Sequence, residues 1–130
     1  MNKPDKIIYE NQEIVHDKIV DFVISKLTEN VKEAYLFGSV VNRQFGRYTE
    51  KYQSHKGSDI DLMVIIHENK IPKGWKYLNT EKEWWNLYYV GSIAINGILH
   101  RLEAIIVKEG KENYSLNRIK ELSWKVERIK

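Results

Sequence analysis

The stretches Leu36-Phe37-Gly38-Ser39 and Gly57-Ser58-Asp59-Ile60-Asp61-Leu62-Met63-Val64 decide how this chain is read, with twenty positions from Ser39 to Asp59. Ala34 to Phe37 is a short apolar run that ends at Gly38-Ser39, the pattern of a buried strand. From Asp59 to Ile66, residues Ile60, Leu62, Val64 and Ile66 alternate with Asp59, Asp61, Met63 and Ile65. A strand places alternate side chains on opposite faces, so Asp59 and Asp61 share one face. A glycine at a strand end lets the backbone approach a phosphate closely. The amides after such a turn, with a serine hydroxyl, can bind phosphate oxygens. Two carboxylates one pleat apart repel, and one is driven toward its protonated form unless a cation sits between them. Hard oxygen ligands suit Mg²⁺, which prefers one or two carboxylates plus substrate phosphates. The plain alternative is a solvated pair on an edge strand. An apolar strand and two Gly-Ser turns around the pair argue against it.

Working outward, Glu10 to Asn30 predicts an amphipathic helix with Val15, Ile19, Val23 and Leu27 as its core stripe, widened by Val20 and Phe22. Thr80-Glu81-Lys82-Glu83 has the form of a capping box and predicts a short helix pairing Trp84 with Tyr88 and Trp85 with Tyr89. Asn96-Gly97 predicts a two-residue hairpin turn between Val90–Ile95 and Ile98–Val107, with a helix capped at Gly97 as the competing reading. Ser115 is expected to cap a last helix carrying Leu116, Ile119, Leu122, Val126 and Ile129. Val40 to Ser58 reads as a long polar loop. The sum is one α+β domain over residues 1–130, a small mixed or antiparallel sheet backed by helices.

The chain has 130 residues and no cysteine, which removes disulfide scaffolds, thiolate metal sites and cysteine nucleophiles. No apolar run reaches the roughly 18 residues needed to span a bilayer. Met1 to Glu10 has no long apolar core, so neither membrane nor secretion is expected and a cytoplasmic protein is. A net charge of +3 is too mild to diagnose a nucleic-acid binder. The loop Val40–Ser58 holds Arg43, Arg47, Lys51 and Lys56 against Glu50, which equals that whole excess. His16, His67 and His100 lack metal-ligand spacing and are expected in core or surface roles. The aromatic run from Trp75 to Tyr89 is expected mainly as a partner interface.

Gly38-Ser39 followed by Gly57-Ser58-Asp59-Ile60-Asp61-Leu62 resembles the signature of the DNA polymerase β-like nucleotidyltransferase superfamily, and most of all its minimal nucleotidyltransferase branch. The match covers about a quarter of the chain, from Ala34 to Ile66. The resemblance implies the palm-like nucleotidyltransferase fold. It implies that Gly38 and Ser39, grouped here with Ser58, hold the triphosphate, and that Asp59 and Asp61 ligate two Mg²⁺ ions. It also implies a third carboxylate in a hydrophobic–acid–hydrophobic setting. Leu102-Glu103-Ala104 supplies one, so Glu103 is the candidate catalytic and metal-ligating acid. On its own chemistry Glu103 is an acid inside an apolar strand, either bound to a metal or paired with Arg101 or Lys108.

The loop before the Asp pair is longer than such minimal members usually have. Arg43 and Arg47 both qualify as the phosphate-neutralising arginine common after the Gly-Ser turn, and the sequence does not choose between them. By analogy the expected reaction moves a nucleoside monophosphate, AMP from ATP or the equivalent from another nucleoside triphosphate, onto an acceptor hydroxyl. The resemblance implies a small helical HEPN-type protein as partner and acceptor, as in antitoxin-type members. An aminoglycoside-type small-molecule acceptor and a non-catalytic nucleotide-binding module are the competing readings. A nucleic-acid partner is a weaker expectation, and self-association is left open.

Overall fold

The Asp-x-Asp segment becomes the central strand of a sheet because everything after Asp61 is apolar on both sides. In the computed structural model, which describes residues 3–68 and 70–130, Ile60 and residues Leu62 to Ile66 are all buried. A strand buried on both faces reads as a continuous apolar run rather than an alternating one.

The elements in chain order are β1 (Lys6–Ile8), α1 (Gln12–Lys26), β2 (Val31–Phe37), β3 (Gly46–Tyr52), β4 (His55–Gly57), β5 (Ile60–Ile66), β6 (Lys76–Glu81), β7 (Trp85–Ile95), β8 (Ile98–Val107), α2 (Glu112–Glu121) and β9 (Glu127–Arg128). Among the described residues this is an α+β fold with two helices, a mixed six-stranded sheet ordered β6-β7-β8-β5-β2-β9 and a three-stranded sheet ordered β1-β3-β4. The β5–β8 pair is parallel, and the other pairs of the larger sheet are antiparallel. No helix among the described residues is long and apolar enough to cross a membrane.

The six-stranded sheet has a core on each face. Helix α1 lays Val15, Ile19 and Val23 over Leu36, Ile60, Leu62, Leu102 and Ala104. On the other face Tyr35, Met63, Ile65, Ile105 and Val107 pack with Trp84 and with Ile119 of α2, and Trp124 and Phe37 close the edge of that cluster.

The expected helix at Thr80 is instead a hairpin of β6 and β7. The Lys82 N–H donates to the Trp85 carbonyl at 2.9 Å and turns the chain back on itself. Residues four apart share a face in a strand as well as in a helix, so the aromatic spacing fits both. Burial decides for the strand: Tyr88 and Val90 pack on the α1 side, while Trp85 and Leu87 pack on the other. Trp84 and Tyr88 are thereby spent largely in the cores, not kept for a partner interface. The Asn96-Gly97 hairpin forms as expected, with φ 52 and 76 at its two turn residues and Ile95 opposite Ile98.

The last helix differs at both ends. It starts at Glu112, and the Ser115 hydroxyl lies inside it, donating to the Glu112 carbonyl at 2.7 Å. It stops at Glu121 because Ser123 turns left-handed at φ 56 and the Trp124 N–H closes back on the Ile119 carbonyl at 3.0 Å. Val126 and Ile129 therefore lie outside the helix, in and around β9, which adds to the edge of β2.

Residues 40–58 are not a bare loop. After a tight turn they form the β3–β4 hairpin, and β1 joins it with Ile7 opposite Arg47.

Candidate functional site

Asp61 lies in a row across the larger sheet, opposite Phe37 on one side and Glu103 on the other, and Glu103 lies opposite Tyr89. The parallel β5–β8 pair thus sets two carboxylates side by side on one face. Asp59 sits just ahead of β5 and completes a cluster of three acids. Burial, and then the neighbouring charges of Asp59 and Glu103, push the Asp61 carboxyl up to about 7, against a pull downward from Lys6 and Lys3. Glu103 is raised too, by burial and then by Asp59, with Arg101 opposing.

The Gly-Ser turn packs directly on this cluster. Gly38 is left-handed at φ 77, and a Cβ there would collide with Asp61 Oδ2. Glycine is therefore required twice over, for its conformation and for its missing side chain. The Asn42 N–H returns to the Gly38 carbonyl at 3.0 Å, and the Gln44 N–H returns to that of Ser39 at 2.9 Å.

A cleft of about 320 Å³ opens beside the acids. Its lining includes Lys3, Lys6, Ser39, Tyr48, Asp59 and Asp61, with Ser58 at its base. Lys6 Nζ donates to the Gln44 carbonyl at 3.0 Å, and Lys3 lies over the rings of Tyr48 and Tyr52 at 5.4 and 5.7 Å. Burial and then the charge of Lys3 lower the Lys6 pKa, partly offset by Asp61. Gly38, Ser39, Ser58, Asp59, Asp61 and Glu103 are thus brought to one end of the sheet.

Arg43 and Arg47 are not among the residues lining that cleft. Arg43 is turned toward α1, with Nε donating to Glu13 at 2.7 Å and Nη1 to the carbonyls of Val40 and Val41 at 3.1 and 3.3 Å. It clamps the turn to the helix. Arg47 alternates with Tyr48 along β3, so its side chain leaves from the other face. The cations at the cleft are the lysines of β1 and its approach, which sequence reasoning missed. Only the pairing of β1 with β3 brings them there, and no local motif announces it.

His100 was also missed as a site residue. It is fully buried, with Nδ1 2.8 Å from the Ser58 carbonyl and Nε2 2.8 Å from the Tyr9 hydroxyl. A carbonyl only accepts, so Nδ1 carries the proton and Nε2 accepts from Tyr9. Burial lowers the His100 pKa, which favours this neutral form. The relay fixes the peptide immediately before Asp59. Ser58 is itself buried and takes the Gly46 N–H on its hydroxyl at 3.3 Å. Its observed contacts are those of a support for Asp59.

The donor set suits a hard divalent cation: three carboxylates, no sulfur, and an Asp61 whose charge the two lysines only partly offset. Yet no group of three His, Asp or Glu side chains among the described residues stands ready to hold a metal. Two of the three acids have partners of their own. His55 Nε2 holds Asp59 Oδ1 at 3.0 Å, and Arg101 Nη2 holds Glu103 Oε2 at 3.3 Å. One oxygen of each of these two carboxylates is thus engaged.

A scan against protein-family models finds no match for the chain, and a search of curated proteins finds none either.

Proposed function

We propose that this chain is a Mg²⁺-dependent nucleotidyltransferase of the polymerase β-like superfamily and its minimal branch. It would transfer a nucleoside monophosphate, AMP from ATP first of all, to a hydroxyl of a partner protein of the small helical HEPN type. The observation that carries the reading is the placement of Asp61 beside Glu103 on parallel strands, with Gly38 packed against Asp61 and a lysine-lined cleft alongside.

Lys3, Lys6 and Ser39 bind and orient the triphosphate in the cleft. Asp59, Asp61 and Glu103 would hold Mg²⁺, which would supply neutralisation of phosphate charge. The acceptor oxygen attacks the α-phosphorus and a new P–O bond forms. The bond from that phosphorus to the bridging oxygen breaks, and pyrophosphate leaves with the electron pair. Glu103 takes the acceptor's proton.

One observation favours a second reading, a nucleotide-binding module without transfer: Asp59 and Glu103 are both engaged, by His55 and Arg101. Calorimetry of ATP with and without Mg²⁺, alongside transfer of label from α-³²P-ATP, separates the two. Transferase action predicts binding at least tenfold tighter with Mg²⁺, and label moved onto protein. Metal-independent binding with no pyrophosphate released would establish the module instead.

A further inference from the structure

The cleft that holds Asp59 and Asp61 is the first of two near the acids; a second, of about 370 Å³, is lined by Tyr89, Ser92 and Arg101 among others. Four hydroxyl side chains line the first: Ser39, Tyr48, Tyr52 and Ser58. Ser58 is buried, and its hydroxyl takes the Gly46 N–H. Ser39 belongs to the turn assigned above to phosphate. The two tyrosines have neither task. Both are half-buried, and their rings meet edge to face at 5.2 Å. Elsewhere in the fold tyrosine hydroxyls are spent internally, that of Tyr9 on His100 at 2.8 Å and that of Tyr89 on Ser92 at 2.7 Å.

Two contacts tie Tyr52 to the chemistry of the cleft. Lys3 Nζ lies over the Tyr48 ring at 5.4 Å and over the Tyr52 ring at 5.7 Å, held by the attraction of a cation to an aromatic face. A phosphate that binds Lys3 therefore comes to rest beside the tyrosines. From the other strand of the hairpin, His55 sits directly opposite Tyr52, and its Nε2 reaches Asp59 Oδ1 at 3.0 Å. Directly opposed residues of an antiparallel pair share a face, with Cβ atoms about 4.5–5.5 Å apart. One residue thus separates Tyr52 from the acids. Tyr48 sits opposite Lys6 of β1 instead.

We propose that the chain also nucleotidylates itself, with the Tyr52 hydroxyl as the acceptor in the cleft that binds the triphosphate. The inference rests on the transferase reading and goes beyond transfer to a partner. Tyr52 Oη attacks the α-phosphorus of ATP and a new P–O bond forms, giving a phosphodiester between tyrosine and AMP. The bond from that phosphorus to the bridging oxygen breaks, pyrophosphate leaves with the electron pair, and the phenolic proton passes to water. Donor and acceptor share one cleft, so no second protein is required.

The test incubates the purified full chain alone with α-³²P-ATP and Mg²⁺ and sequences its tryptic peptides by tandem mass spectrometry. Lys51 stands between the two tyrosines, so trypsin can separate them. AMP should be found on Tyr52, and γ-³²P-ATP should leave no label. The fraction labelled per minute should stay constant as the protein is diluted about tenfold, as a reaction within one chain requires. Tyr52→Phe, which removes only the hydroxyl, should abolish the label, and so should Asp61→Asn. Label on another residue, label from the γ-phosphate, labelling that survives either substitution, or a fraction that falls on dilution would each overturn the proposal. A chain that stays unlabelled but labels a protein of a cell lysate overturns self-modification and leaves the transferase reading standing. No labelled protein in either experiment and no pyrophosphate released would sink both.

Discussion

Along one face of β5 and β8 the same two strands carry two different kinds of row. Asp61 and Glu103 form the first, Met63 and Ile105 the next, and Ile65 and Val107 lie close behind. Backbone geometry is common to all of them. What changes is the cover. Trp84, Trp124 and Ile119 close over the later rows, and Met63 and Ile65 are 0 and 1% exposed. The cover stops at Phe37, on which Trp124 stacks at 4.8 Å, and Asp61 of the acid row opens to the first cleft. A site here is a place where a core is left unfinished, and its acids bear the electrostatic cost that the apolar rows avoid.

The sharpest way to break that comparison is to make the acid row neutral. Asp61→Asn should abolish transfer, by a factor of roughly a thousand or more if Asp61 supports charge stabilisation in the transition state. It should also stabilise the fold in metal-free buffer. The folded pKa of about 7 lies above the ordinary 3.8, so the native state holds a proton that the unfolded chain has lost. Stability is therefore full below about pH 4 and falls as pH rises toward 7, by up to about 4 kcal/mol from one pH-unit cost of 1.36 kcal/mol. Urea denaturation with EDTA at pH 5 and pH 8 should show the wild type weaker at pH 8 and the variant less dependent on pH, with Glu103 still contributing in the same sense. A variant that is less stable than wild type at pH 8 would show that Asp61 is a structural partner, not an uncompensated charge.

One pleat along, the same strand should behave in the opposite sense. Met63→Ala removes a fully buried side chain beneath the Trp84 and Trp124 cover. It should cost about 2–5 kcal/mol at either pH, as core truncations do. A cost below about 1 kcal/mol would mean that the cover is loosely packed and that the contrast between the rows is false.

This contrast was partly legible before any coordinates. The alternation from Asp59 to Ile66 is local, and a strand turns it directly into two faces. The Asn96-Gly97 turn was legible for the same reason, since both residues tolerate the left-handed backbone that a tight hairpin demands. The segment around Thr80 was not, because four-residue spacing satisfies a helix and a strand alike and only the two cores arbitrate. Lys3 and Lys6 were illegible because their place depends on β1 pairing with a strand some forty positions away. His100 was illegible because its partner at the site is a main-chain carbonyl, which no sequence displays. Arg43 was legible as a cation but not as a clamp, since its partner Glu13 lies on a different element.

The smallest predicted effect separates these two sets of cations. Replacing Lys3 and Lys6 together by Gln should weaken ATP about tenfold or more, because it removes the lysines that face the acids across the first cleft. Arg43→Gln should leave ATP affinity unchanged in the same titration and lower the melting temperature only slightly. Its ion pair with Glu13 is solvent-exposed, and such pairs contribute little once screened. Measured together, the two variants ask whether phosphate is met by the approach and first strand of the chain or by the turn after Ser39. A loss of affinity in Arg43→Gln with none in the double lysine variant would move the phosphate site to the turn. It would also reduce β1 to a structural edge of the smaller sheet, since Ile7 and Ile8 would then be its only evident use, exposed at 43 and 49% beside a hairpin that they help to hold.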